Sequence, residues 1–205
     1  MSVASNERRP ALSRAAFTAG LSAFGAAWTL ATPVRAGGAR SGEWCLPITK
    51  YAREHVYDFD LELLDGNGAL FTLSKLAGKP VWLNFFTSWC GPCNREAADI
   101  VSIWRKYGDA VHVVGIDVAE KPEQARTFRN KHAIPFPIAL DTTSSVFDAL
   151  GFTGYPTHAF LDKQGLISCL SAGDLTPTQM DNELAVALAR VPRPQPTTSA
   201  VVKPS

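Results

Sequence analysis

Residues 81–93 read VWLNFFTSWCGPC. The run at 81–87 is almost continuously apolar, which predicts a central β-strand covered on both faces. Residues 91–107 predict a helix that ends at Gly108, and Pro92 is tolerated because a first-turn residue has no intrahelical N–H bond to lose. Two thiols three positions apart therefore sit where a buried strand hands over to a helix. The unpaired N–H groups of the first turn point at Cys90 and favour its thiolate, the nucleophile of disulfide exchange. Cys93 lies one turn in, placed to attack a mixed disulfide and release its product. Half of a structural zinc site or an inert disulfide would use the same spacing. Zinc needs two further ligands. Cys45 and Cys169 are isolated singles, and His55, His112, His132 and His158 form no ligand-spaced pair. Disulfide exchange is the reading the residues favour.

Outward from this segment the pattern is strand, helix, strand. Upstream, Phe59, Leu61 and Leu63 alternate with Asp60 and Glu62, as in a half-buried strand. Asp65-Gly66-Asn67-Gly68 signals a turn into a second strand at 69–73, and Gly78-Lys79-Pro80 stops a short helical turn. Downstream, strands are expected at 111–118 and 137–140, with helices at 122–132 and 144–150, the latter capped by Ser144 and stopped by Gly151. Residues 157–161 and 166–170 flank Asp162-Lys163-Gln164-Gly165 as a hairpin, and Thr176 caps a last helix at about 177–190. Alternating strands and helices imply an α/β fold with a parallel centre, and the late hairpin adds antiparallel strands. No internal repeat is visible.

The chain has 205 residues, 46% of them hydrophobic and 19% charged, which suits one globular domain with appendages. Its net charge of +1 offers no footprint for a nucleic acid. Four cysteines are too few for a disulfide-built scaffold of this length. Residues 1–14 carry Arg8, Arg9 and Arg14, residues 15–30 carry no charge, and Val34-Arg35-Ala36 supplies a small-x-small exit. Residues 1–36 thus read as a secretory signal peptide, with an uncleaved anchor through 15–34 as the alternative. Arg8-Arg9 fits twin-arginine export in part, since Pro10 and Ala11 follow it, and general secretion stays open beside it. No lipobox precedes Cys45. Without 1–36 the chain keeps 16 basic and 18 acidic residues, a net charge of −2. Residues 37–57 read as an N-terminal arm, 58–190 as the domain, and 191–205 as a tail too rich in Pro, Ser and Thr to pack.

WCGPC, followed some sixty residues on by Pro-Thr before a strand, resembles the thioredoxin superfamily. More closely, the chain is similar to the TlpA/ResA/CcmG (DsbE) group of exported thiol–disulfide oxidoreductases. The carrying segments are GKPVWLNFFTSWCGPCNRE at 78–96, VVGIDV at 113–118, FPIALD at 136–141 and GYPTHAFLDKQG at 154–165. The resemblance implies a thioredoxin-like fold: a central mixed sheet flanked by helices, with an added N-terminal β-hairpin. It implies that Cys90 attacks, Cys93 resolves, Trp89 shields the active-site edge, and Tyr155-Pro156 supplies a cis-proline beside the dithiol. Glu96 falls where this group often carries an acid that relays protons to and from Cys93. A solvated acid on the helix surface is the alternative there. Asn84 stands where thioredoxin has a buried acid, and Ala98 replaces the family's helix-kinking proline, so a straighter helix is expected.

The expected function is a periplasmic, monomeric reductant of disulfides in exported proteins, recharged by a membrane thiol carrier and needing no cofactor. Gly91-Pro92 matches thioredoxin's own dipeptide, which favours the reducing direction. Cytochrome c maturation and respiratory copper-centre assembly are the settings the resembling group implies. A disulfide-donating oxidase would use the same residues with the opposite poise. A copper-carrying module could use Cys90, Cys93 and His158, although His158 reads more simply as a core or rim residue. A peroxidase is disfavoured because no separate peroxidatic cysteine in a Pro/Thr setting is visible. In an oxidising compartment Cys45 and Cys169 are expected to pair. The alternative is a free Cys45 with Cys169 as a small buried apolar residue.

Overall fold

The apolar run VWLNFF forms β3 (Val81–Phe86), and all six of its side chains are buried. A computed structural model of the chain describes Cys45 and residues 58–189. The leader at 1–36, the arm at 37–57 apart from Cys45, and the tail at 191–205 lie outside the described residues. Both neighbours of β3 are also central: β4 (His112–Val118) runs parallel to it and β6 (Thr157–Leu161) antiparallel. β5 (Ile138–Asp141) continues the parallel centre on the far side of β4. β7 (Ile167–Ala172) closes one edge as the antiparallel partner of β6 and extends two residues further than the alternation suggested. At the other edge β1 (Asp60–Leu63) and β2 (Leu70–Thr72) form the expected hairpin. It adds to β5 antiparallel, Glu62 opposite Leu140 and Leu63 opposite Ala139. The seven-stranded order is β2-β1-β5-β4-β3-β6-β7. This is the thioredoxin-like mixed sheet, with the hairpin as its extra edge.

Alternation along β3 divides the core. Val81, Leu83 and Phe85 point to one face, where they meet Phe59, Phe71, Val114 and Ile116. Trp82 and Phe86 point to the other, against helices α1 (Gly91–Tyr107), α2 (Pro122–His132) and α4 (Pro177–Ala189). The short helix α3 (Ser145–Ala149) gives Val146 and Phe147 to the first face. Helix α1 buries Cys93, Glu96, Ala97, Ile100 and Val101, the three-and-four spacing of one helical face. Gly115 on β4 faces Phe86: a Cβ there would lie 3.1 Å from the Phe86 ring, so glycine lets that ring cross the strand. Phe86 in turn stacks on Phe128 of α2 at 4.5 Å.

The helix ends follow the sequence with one correction. Thr176 opens α4 through a capping box: its hydroxyl accepts from the Gln179 N–H (3.4 Å) and its own N–H donates to Gln179 Oε1 (2.8 Å). Ser144 does not cap α3. Its φ is 60° and its side chain makes no capping bond, because a turn from Asp141 takes it out of the extended backbone that a capping serine needs. Asp141 caps instead, its carboxylate accepting from the N–H groups of Phe147 (2.9 Å) and Val146 (3.1 Å). Since Phe147 stacks on Tyr155 at 4.7 Å, this cap also supports the loop before Pro156. Asp141→Ala is expected to lower stability by about 1–2 kcal/mol in urea denaturation. Asp141→Asn is expected to recover part of that loss.

Candidate active site

The dithiol sits at the C-terminal edge of β3, and the residues between strand and helix fix its position. Cys90 is the N-cap of α1, with the Cys93 N–H donating to its Sγ at 3.2 Å. This is the first-turn amide expected to stabilise a thiolate there. Cys90 and Cys93 are bonded to each other, so the structure is the oxidised form, and both are buried. Trp89 beside them is 70% exposed, and its ring meets Tyr155 edge-on at 6.0 Å. The Tyr155-Pro156 bond is cis. The aromatic pair therefore joins the dithiol loop to the cis-proline loop. Burial, then the carboxylates of Asp148, Asp141, Asp117 and Glu120, holds the Tyr155 phenol above its ordinary range.

The loop at 87–90 is held from two sides. Glu120 accepts from the Ser88 N–H (2.5 Å) and hydroxyl (2.7 Å). Asn94 donates from Nδ2 to the carbonyls of Ser88 and Cys90, both at 2.9 Å. Its Oδ1 accepts from Lys131 Nζ (2.7 Å) and lies 2.9 Å from His132 Nε2, at the C-terminal end of α2. Burial, then the charge of Lys131, lowers the His132 pKa. At neutral pH the imidazole is uncharged and its Nε2–H points at Asn94.

Glu96 lies one turn below Cys93 and is 3% exposed. The absence of the kinking proline at Ala98 does not turn it outward; the neighbouring Arg95 takes the surface position and pairs with Asp174 at 3.0 Å. Asn84 Nδ2 and the Leu175 N–H each donate to a Glu96 oxygen at 3.2 Å. His158 Nε2 stands 3.2 Å from Glu96 Oε2. The indole N–H of Trp82 donates to His158 Nδ1 at 3.2 Å. Since that N–H is a donor only, Nδ1 must accept, and the neutral ring carries its proton on Nε2, facing the carboxylate. The sheet explains the convergence, because Asn84 and His158 are register partners and Trp82 lies two residues away on the same face. His158 is a fully buried core residue with both nitrogens turned to protein groups, so it is not presented to Cys90 and Cys93 as a copper ligand.

Cys45 and Cys169 are bonded, with Cys169 fully buried on β7 opposite Phe160. Of four cysteines, the pair at the strand–helix junction is thus the one set out for exchange. The sequence pointed to Trp89, Cys90, Cys93, Glu96 and Pro156. It did not single out Asn94 or Glu120, which bond to the loop before Cys90, or Trp82, which bonds to His158, and it gave Asn84 and His158 other roles.

Comparison with known proteins agrees with this arrangement. The AhpC/TSA family model matches residues 52–169. Thioredoxin-like protein YneN of Bacillus subtilis (strain 168) is 34% identical over 130 residues, covering 62% of this chain and 75% of YneN. Thiol-disulfide oxidoreductase ResA of the same organism is 31% identical over 115 residues, covering 56% of this chain and 64% of ResA. The solved structure of MTB dsbF, in mixed oxidised and reduced forms, superposes with a TM-score of 0.59 at 26% identity. It covers 66% of this chain and 97% of that one. A cysteine pair at the N-terminus of α1, on a fold shared with the dsbF structure, makes the chain a thiol–disulfide oxidoreductase, and it belongs to the AhpC/TSA family.

Proposed function

We propose that the chain works in the periplasm as a reductant of disulfides in other exported proteins, using Cys90 to attack and Cys93 to resolve. The observation that carries this reading is the buried Glu96 carboxylate one turn beneath a Cys-Gly-Pro-Cys dithiol. In the reducing direction the Cys90 thiolate attacks one sulfur of a substrate disulfide, that S–S bond breaks with its other sulfur leaving as a thiolate, and a mixed disulfide forms. Cys93 must then lose its proton as it attacks Cys90 Sγ and expels the substrate thiolate. Glu96 is the acceptor for that proton, and His158, Asn84 and the Leu175 N–H hold it in place. Trp89 and Tyr155 offer an aromatic surface to the incoming chain, and the cis Pro156 holds the backbone against which it lies. The basic, apolar, small-x-small order of residues 1–36 supports export. No described helix is long and apolar enough to cross a membrane. The resemblance to the TlpA/ResA/CcmG group supports cytochrome c maturation or copper-centre assembly as the setting, with electrons drawn from a membrane thiol carrier.

Cys93→Ser removes the resolving thiol and leaves Cys90 able to attack. Expression of this variant is expected to accumulate mixed disulfides, released by dithiothreitol, with exported proteins carrying paired haem-binding or copper-binding cysteines. Mass spectrometry identifies them. The same adducts on a Cys90→Ser control, or none of that class on Cys93→Ser, would contradict the reading.

A further inference from the structure

We propose that Asn94 is a positioning residue for the exchange reaction, whose side-chain amide clamps the loop around Cys90 and favours the reduced form with Cys90 as a thiolate. Its Nδ2 donates to the carbonyls of Ser88 and Cys90, both at 2.9 Å, and so brackets Trp89 and the nucleophile. Its Oδ1 accepts from Lys131 Nζ at 2.7 Å and stands 2.9 Å from His132 Nε2. A side-chain amide has two N–H donors and two oxygen lone pairs, and all four find partners here. The amide therefore has one orientation: turned over, it would set Oδ1 against two carbonyls and Nδ2 against an ammonium group. The anchor is itself fixed. The His132 ring lies 4.6 Å from that of Phe128, which stacks on Phe86 at the end of β3.

The clamp matters most when the dithiol is open. In the oxidised form the Cys90–Cys93 bond, with Cα atoms 5.3 Å apart, ties the loop to the first turn of α1 by itself. Once that bond is reduced, the placement of Cys90 Sγ at the Cys93 N–H rests on noncovalent contacts, and Asn94 joins the carbonyls on both sides of it. Charge acts in the same sense. Lys131 sets an ammonium group on the outer end of the amide and polarises its N–H bonds toward the Cys90 peptide. A thiolate gains from that positive end, and a neutral disulfide does not. The other charged and titratable groups around the loop are Arg95, paired with Asp174, on α1 and Glu96 beneath Cys93. Beyond β4 comes Glu120 on Ser88, and beside Trp89 the Tyr155 phenol with Asp117, Asp141 and Asp148 near it. Most of these are acids and oppose a thiolate, so the positive end that Lys131 and His132 supply through Asn94 offsets them. The inference rests on exchange chemistry at Cys90 and not on its direction.

Asn94→Leu keeps the volume of the side chain and removes its donors. In the reduced protein, the rate of Cys90 alkylation by iodoacetamide is followed against pH, with the modified peptide identified by mass spectrometry. The midpoint is expected to rise in Asn94→Leu. The equilibrium of the Cys90–Cys93 pair with glutathione is expected to shift about three- to tenfold toward the disulfide, the range for the net contribution of a hydrogen bond. A merely structural loss would weaken the oxidised and reduced proteins alike and leave both readouts in place. Lys131→Met cuts the anchor on an exposed residue without touching the loop. It is expected to give a smaller shift in the same direction, which shrinks when made together with Asn94→Leu. A midpoint and a glutathione equilibrium in Asn94→Leu that match the unsubstituted chain would overturn the proposal. So would a Lys131→Met effect that adds in full to that of Asn94→Leu. Both readouts are shifts relative to the unsubstituted chain, so they are separate from the direction that its absolute potential favours.

Discussion

Cys45→Ala is expected to lower the thermal midpoint of the oxidised protein by roughly 10–15 °C, at 2–4 °C per kcal/mol for a domain of this size. The bridge joins residues 124 apart. In the chain-entropy model, closing so long a loop removes about 4–5 kcal/mol of disorder from the unfolded ensemble, an upper figure because any native strain subtracts from it. Substituting Cys45 keeps the Cys169 thiol in its buried place on β7 opposite Phe160, where a free cysteine packs as a small apolar group. The loss therefore reports the tether and not a cavity. A midpoint within 2 °C of the unsubstituted chain, by the same scan, would show that the bridge contributes little.

Glu96 carries the second large effect, and two substitutions separate its roles. Glu96→Ala strips the acceptor from Asn84 Nδ2 and the Leu175 N–H at once, and removes the carboxylate that stands 3.2 Å from His158 Nε2. Leaving several buried donors unpaired is expected to cost on the order of 3–5 kcal/mol of stability. Glu96→Gln keeps the volume and one accepting oxygen, so folding is retained at a cost of about 1–2 kcal/mol. It cannot take a proton from Cys93. Release of substrate from the mixed disulfide is therefore expected to slow by about 10²–10⁴-fold, the range for loss of a positioned general base. Stopped-flow single-turnover measurement reads that step directly. Resolution at the unsubstituted rate in Glu96→Gln would reduce Glu96 to a structural acid.

Much of this architecture is legible in the sequence because its signals are local. The run VWLNFF, the Gly108 stop, the Asp65–Gly68 turn and the Thr176 box each depend on neighbours within a few residues. Sheet order is not local: nothing in residues 60–72 says that the hairpin adds to β5, since that pairing joins Glu62 to Leu140 across the chain. Ser144 misleads for a related reason. Its type fits a cap, but the turn from Asp141 sets its backbone, and the acid three residues earlier takes the amides. Around the dithiol, spacing alone reaches Cys93, and the family resemblance adds Glu96 on the same helix. The burial of Glu96 comes from Leu175 and from the β3–β6 register that brings Asn84 and His158 together. Glu120 was unreadable because an acid in the loop after a strand is also a common surface pattern. Only the fold brings it against Ser88.

The central claim is that Cys90 and Cys93 are poised to give electrons. Its most direct test is the reduction potential of that pair, obtained by equilibration with glutathione and dithiothreitol buffers and read by alkylation of Cys90. A value near that of thioredoxin, about −270 mV, is predicted. A value near that of a dedicated oxidant such as DsbA, about −120 mV, would contradict it.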